Sequence, residues 1–138
     1  METDMHKHRR IPHPFTVAVD YDGTLTSRDT WPETGTVDPL AADILRKLEK
    51  DGARIILLTM REGELLEDAV KECRRAGIPL WAVNQNPDQH LWGAARKVYA
   101  DAYVDDHAIA FPRTAGGDAD WNAIGLLLEQ AMRLHKPA

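Results

Sequence analysis

Four short apolar runs set the limits on this fold: 15–20, 53–59, 80–84 and 102–105. Each is short for a helix and too continuously apolar for a strand with one wet face, so each reads as a buried strand. After the first run, Asp38 and Pro39 supply an N-cap and a first helical position. Leu40, Ala41, Ile44, Leu45 and Leu48 follow at helical spacing, and Gly52 ends the helix. A second helix is predicted over 63–76, with Leu65, Leu66, Ala69, Val70 and Cys73 on one face and Gly77 as its stop. A last helix over about 119–135 turns Trp121, Ile124, Leu127, Leu128, Ala131 and Leu134 to the core. This alternation predicts a Rossmann-like parallel sheet with helices on both faces, a three-layer α/β/α sandwich. The predicted order puts the second strand beside the first, the third outside it, and the fourth on the first strand's other side.

Right-handed crossovers bring the carboxyl ends of such strands to one edge, where open α/β sheets bind ligands. The four runs end at Asp20, Thr59, Asn84 and the pair Asp105-Asp106. Asp22 follows Asp20 by two positions, and Gly23-Thr24 turns the chain directly afterwards. Carboxylates held this close repel each other unless a cation or a shared proton intervenes. Polar groups at all four strand ends therefore predict one converged site.

These residues resemble the motifs of the haloacid dehalogenase (HAD) superfamily of phosphohydrolases, and the match covers most of the chain. Asp20-Tyr21-Asp22-Gly23-Thr24 is similar to the family's Asp-x-Asp-x-Thr motif, and Thr59 to its strand-ending Thr or Ser. Lys97 best fits the basic third motif, with Arg96, Lys71 and Arg61 as competitors. Asp105-Asp106, after an apolar strand, is similar to the acidic fourth motif. The resemblance implies a Mg²⁺-dependent phosphatase that hydrolyses a phosphate monoester. Asp20 would be the nucleophile that forms an aspartyl-phosphate, and Asp22 the general acid and base, which requires a raised pKa. The metal ligands would be Asp20, the backbone carbonyl of Asp22 and Asp105, with Asp106 and Thr24 around them. Thr59, through its hydroxyl and backbone N–H, and Lys97 would meet the phosphoryl oxygens, with Met60 and Arg61 also on the substrate side. Arg61 is matched equally by a surface ion pair with Glu62 or Glu64, and Asn84 is favoured as a turn former over a site residue.

HAD enzymes gain specificity from an inserted cap, which this chain has no room for. The first gap, 25–37, holds only a flap, where Arg28, Asp29, Trp31 and Glu33 are placed to brush a substrate. The resemblance is thus to the small capless type with an open site, suited to a large phosphorylated substrate, an oligomer or a completing partner protein. Polynucleotide 3′-phosphatase domains share the motifs, but a net charge of -5 and no clear basic groove disfavour nucleic acid. Phosphotransfer to an acceptor other than water and a non-catalytic HAD-fold binding module are the other readings.

With 138 residues and 43% hydrophobic content, one domain over 15–138 is expected. The polar segment 1–14 reads as a mobile arm. The single Cys73 rules out an internal disulfide framework. No apolar run reaches the roughly 18–20 residues of a membrane span, and the start of the sequence has no signal-peptide core, so a cytoplasmic protein is expected. His6, His8, His13, His90, His107 and His135 show no metal-ligand spacing with cysteine, so no zinc site is expected.

Overall fold

The computed structural model describes residues 11–135. The elements are β1 (Thr16–Val19), α1 (Pro39–Lys50), β2 (Arg54–Leu57), α2 (Gly63–Arg75), β3 (Leu80–Val83), β4 (Ala102–Val104) and α3 (Trp121–Leu134). A 3₁₀ turn, Gln89–Leu91, lies between β3 and β4. All strands pair in parallel in the order β3-β2-β1-β4, so the α/β architecture and strand order are as expected.

The crossover rule explains what covers each face. The chain moves from β1 to β2 to β3 in one direction, so right-handed connections put α1 and α2 on the same side. Its return from β3 to β4 runs the other way and must cross the opposite side. Side-chain alternation follows this division. Val17, Val19, Ile55, Leu57 and Val104 join the main core with α1, α2 and α3, whereas Ala18, Ile56 and Ala82 face the return segment with Ala100.

The expectation of helices on both faces is corrected here: among the described residues this second layer holds a 3₁₀ turn and coil but no α-helix, so side-chain amides satisfy its backbone. The buried Asn86 donates to the Tyr99 carbonyl at 2.9 Å and accepts from the Asp88 amide at 2.8 Å. Gln89 accepts from the Tyr99 amide and donates to the Lys97 carbonyl at 2.8 Å. Arg54 pairs with Asp88 at 2.6 Å while its guanidinium lies 4.2 Å from the centre of the Trp81 ring.

Local signals account for the helices. Asp38 caps α1 by accepting from the Leu40 amide at 2.9 Å, and Asp120 caps α3 by accepting from the Ala123 amide at 3.1 Å. The face predicted for α3 is corrected at Leu127 and Leu134, which are 55% and 80% exposed. Gly125 is buried there instead, because a Cβ on it would sit 2.9 Å from Ile44 Cδ1 of α1. The two helices meet across that glycine, which rotates Leu127 outward.

The predicted arm is corrected at its inner end. Positions 1–10 lie outside the described residues, but the His13 side chain is only 6% exposed and packs on β4's approach through Asp101. Its partner is 88 positions away, which a local reading of polarity cannot see. No helix among the described residues is long and apolar enough to cross a membrane.

Candidate functional site

The sheet brings the predicted strand ends together. The ladder continues past the strands: the Asp20 amide donates to the Val104 carbonyl at 2.9 Å, Leu58 to Val19 at 2.9 Å, and Asn84 to Leu57 at 2.8 Å. Asp20 thus leaves the central strand between the turns that carry Thr59 and Asp105-Asp106. Carboxylate oxygens of Asp20, Asp105 and Asp106 lie within 4.8 Å of one another. Such an all-oxygen set suits a hard divalent cation.

The turn after Asp20 is built around Thr24, which is buried. Its hydroxyl faces Asp20 Oδ2 at 3.1 Å and Asp106 Oδ1 at 3.5 Å, and accepts from the Asp106 amide at 3.0 Å. Its carbonyl accepts from Trp121 Nε1 at 2.8 Å, tying the turn to the start of α3. Gly23 adopts φ +78°, and a Cβ there would lie 2.4 Å from Asp106 Oδ2. Glycine is needed for both reasons. The Asp106 carbonyl accepts from Arg113 at 2.8 Å, and Asp105 Oδ1 accepts from the His107 amide at 2.9 Å.

Electrostatics at this edge are unbalanced. Burial, a hydrogen bond to Asp106 and the negative charge of Asp105 push the Asp20 carboxyl up to about 8, against 3.8 ordinarily. Thr24 works in the other direction by donating to the ionised form. A cation placed among these carboxylates would relieve the repulsion, and their all-oxygen donor set suits a hard divalent ion such as Mg²⁺. Asp106, expected around the ligands, stands within the carboxylate set itself.

Asp22 goes elsewhere. Arg61 grips it with both nitrogens, Nε to Oδ2 at 2.8 Å and Nη2 to Oδ1 at 2.7 Å. The Arg61 side chain is fully buried: Nη2 also donates to the Glu33 carbonyl at 2.7 Å, and the guanidinium lies 4.9 Å from the Trp31 ring centre. This corrects the expected pairing with Glu62 or Glu64. It also corrects the expected setting of Asp22, since a carboxylate clamped by a guanidinium is an acceptor and must leave Arg61 before it can donate a proton. The flap closes on the same arginine, with Trp31 as its half-exposed roof.

Two phosphate-side assignments are also revised. The Thr59 amide is not turned outward, because it donates to Asn84 Oδ1 at 2.8 Å, while Thr59 Oγ1 accepts from the Arg61 amide at 3.1 Å. Asn84 is a turn residue, at φ 54°, and a site residue at once. Lys97 lies on the coil layer with Nζ 5.0 Å from the Tyr103 ring centre, and among the described residues it forms no ion pair with the acidic cluster. Tyr103 sits opposite Ala18, two residues before Asp20, so the lysine is held back from the edge. Met60 is 97% exposed at the mouth. His107 is solvated, with Nε2 4.0 Å from Asp106, and residues 113–119 form a turn.

From sequence alone Arg61 is a candidate on the substrate side and one of several competing cations, Asn84 reaches the edge but is favoured as a turn former, and Trp121 is a core residue with no role in the site. A basic residue two positions beyond a strand-ending threonine was the available signal for Arg61. Nothing local pointed to Trp121.

Scans against protein-family models and against curated proteins find no match. A solved structure, that of a conserved protein coded by a locus of Bacteroides thetaiotaomicron, is similar with a TM-score of 0.69. It shares 35% identity, over 86% of this chain and 92% of that one. Identity and coverage at this level extend beyond a common sheet topology, and the chain belongs to the same family as this conserved Bacteroides protein.

Proposed function

We propose that this chain is a Mg²⁺-dependent phosphomonoesterase of the HAD type, working through Asp20. The observation that carries the proposal is the convergence of Asp20, Asp105 and Asp106 at the carboxyl edge of the sheet, beside the Asp22–Arg61 pair. Asp20, Asp105 and Asp106 would hold the metal, which supplies positive charge between the anionic nucleophile and the anionic phosphate.

Released from Arg61, the part-exposed Asp22 takes up a proton from solvent; Asp20 then attacks phosphorus, the ester P–O bond breaks, and the leaving oxygen takes that proton from Asp22. Arg61 is the adjacent cation. As Asp22 swings away, its guanidinium becomes free to pair with phosphoryl oxygens, which compensates the separation of the two. Water then attacks the aspartyl-phosphate, Asp22 accepts its proton, and inorganic phosphate leaves. In this scheme Arg61 takes the countercharge role first given to Lys97.

The mouth carries the exposed Met60 and Trp31 and no inserted domain, which favours a bulky phosphorylated substrate or a partner that completes the site. The buried, unbridged Cys73 accords with a reducing cytoplasm. The test is turnover of a generic aryl phosphate with Mg²⁺ or with EDTA, in wild type and Asp20→Asn. Metal-dependent turnover lost in Asp20→Asn is the expected result. A folded wild type inactive on every member of a phosphoester panel would sink the proposal. The Asp22–Arg61 clamp favours a second reading, a phosphate-binding module without turnover, which predicts that same inactivity with Mg²⁺-dependent phosphate binding retained.

A further inference from the structure

The amino edge of the sheet, opposite the acidic cluster, carries a second constellation of ligand-bearing side chains: His13, Asp101 and His135. They come from the segment before β1, the approach to β4, and the C-cap of α3. We propose that these three residues form a site for a divalent metal of the zinc type, separate from the candidate active site.

The hydrogen atoms can be placed by elimination. His13 Nδ1 lies 2.6 Å from the Ile11 carbonyl, and His135 Nε2 lies 2.9 Å from the His13 carbonyl. Carbonyls only accept, so each of these nitrogens carries its hydrogen. Where a ring is neutral its other nitrogen presents a lone pair, and both of these nitrogens face Asp101 Oδ1. His13 Nε2 is 2.9 Å from it and His135 Nδ1 is 3.6 Å. Donation from the remote ring nitrogen to a backbone carbonyl is the usual support for a metal-ligating histidine. The carboxylate is braced likewise, with Oδ1 accepting from the Tyr99 hydroxyl and Oδ2 from the Thr16 amide, both at 2.8 Å.

A single proton on His13 Nε2 would bond Asp101 through Oδ1 at 2.9 Å and Oδ2 at 3.0 Å, but it leaves the His135 Nδ1 lone pair, 3.6 Å from Oδ1, facing a carboxylate. Protonating both rings would place two imidazolium ions with centroids 4.7 Å apart on one carboxylate. A single metal ion satisfies all three atoms. Metal–ligand distances near 2.0–2.1 Å in a tetrahedral shell put ligands about 3.3 Å apart, and the two separations from Oδ1 bracket that value. Two imidazoles with one carboxylate favour zinc-like ions over Mg²⁺.

The site is also reachable. The three side chains are 6%, 10% and 20% exposed in order along the chain. A cavity of about 670 Å³, lined by His13, Phe15, Lys47, Glu129, Met132 and His135, opens beside it. It offers a way in and room for a fourth, exchangeable ligand. Sequence spacing gave no hint of this, because His13 and His135 are separated by nearly the whole chain. A metal here would pin the segment before β1 to the end of α3.

The test uses the full chain stripped of metal, titrated with Co²⁺ as a visible probe and with Zn²⁺ in competition. The expected result is Co²⁺ binding with intense tetrahedral absorption that saturates at one equivalent and is displaced by Zn²⁺, above the weak absorption of any Co²⁺ held by the all-oxygen acidic cluster. His13→Gln and His135→Gln, each checked for fold by circular dichroism, should weaken it by more than about a hundredfold, exceeding the 10–100-fold typical of lost supporting bonds. Asp20→Asn, Asp105→Asn and the double variant His6→Gln/His8→Gln should leave it unchanged. In unmutated protein, Zn²⁺ should shift the ¹⁵N resonances of His13 Nε2 and His135 Nδ1. Absence of such binding, binding that both glutamine variants retain, or unmoved imidazole resonances would overturn the proposal.

Discussion

Raising the pH of the metal-free protein should destabilise it through the acidic cluster. The Asp20 carboxyl titrates near 3.8 when unfolded and is pushed up to about 8 in the fold. Below the lower value both states carry the proton. Between the two, the unfolded chain has released it while the native state keeps it. Stability therefore falls as pH rises across this window, because the folded state binds more protons. Above about 8 both states are ionised and the whole penalty is present. At 1.36 kcal/mol per pH unit, a window of about four units sets a ceiling of about 6 kcal/mol. Water reaches Asp105 and Asp106 and screens their charges, so about 2–3 kcal/mol is the expected loss. The assay is urea denaturation from about pH 5 to about pH 9 in EDTA. Mg²⁺ should flatten the profile, since a cation replaces the proton, and Asp20→Asn should flatten it without metal. A wild-type profile in EDTA no steeper than that of Asp20→Asn would refute the reasoning, as would a slope that saturating Mg²⁺ leaves intact.

Gly23→Ala forces a Cβ to 2.4 Å from Asp106 Oδ2 at positive φ, so it should cost about 1–3 kcal/mol and weaken Mg²⁺ binding, read by thermal unfolding and metal titration. Arg61→Met leaves Asp22 without its cation and frees the flap. A loss of about 2–4 kcal/mol is expected in urea unfolding, below the fully buried case because the Asp22 side chain is 27% exposed. Trp121→Phe keeps most of the packing but strands the Thr24 carbonyl. It should cost about 1–3 kcal/mol by the same measurement and reduce Mg²⁺ affinity by displacing the Asp20 turn.

The elements and their order were legible because they rest on local rules. Asp38 followed by Pro39 signals a helix start on its own, and a continuous apolar run such as 15–20 reads as a strand buried on both faces. Convergence of Asp20, Thr59, Asn84 and Asp105 on one edge also followed from sequence, since parallel strands with right-handed crossovers permit no other arrangement. Exposure of Leu127 was not legible, because it depends on Ile44 meeting Gly125 across two helices.

Partnership among charged side chains is where tertiary structure decided. The sequence by itself determined which acids reach the edge. It did not determine that Asp22 would be clamped by Arg61 while Asp106 joined Asp20 and Asp105, nor that Lys97 would rest over Tyr103. Spacing along a chain places Cα atoms on an element, whereas ion pairs depend on where long side chains end after burial has excluded the alternatives. His13, Asp101 and His135 are the clearest instance: no motif joins them, and only the packing of the segment before β1 against the approach to β4 and the end of α3 brings their ligand atoms within 4.8 Å.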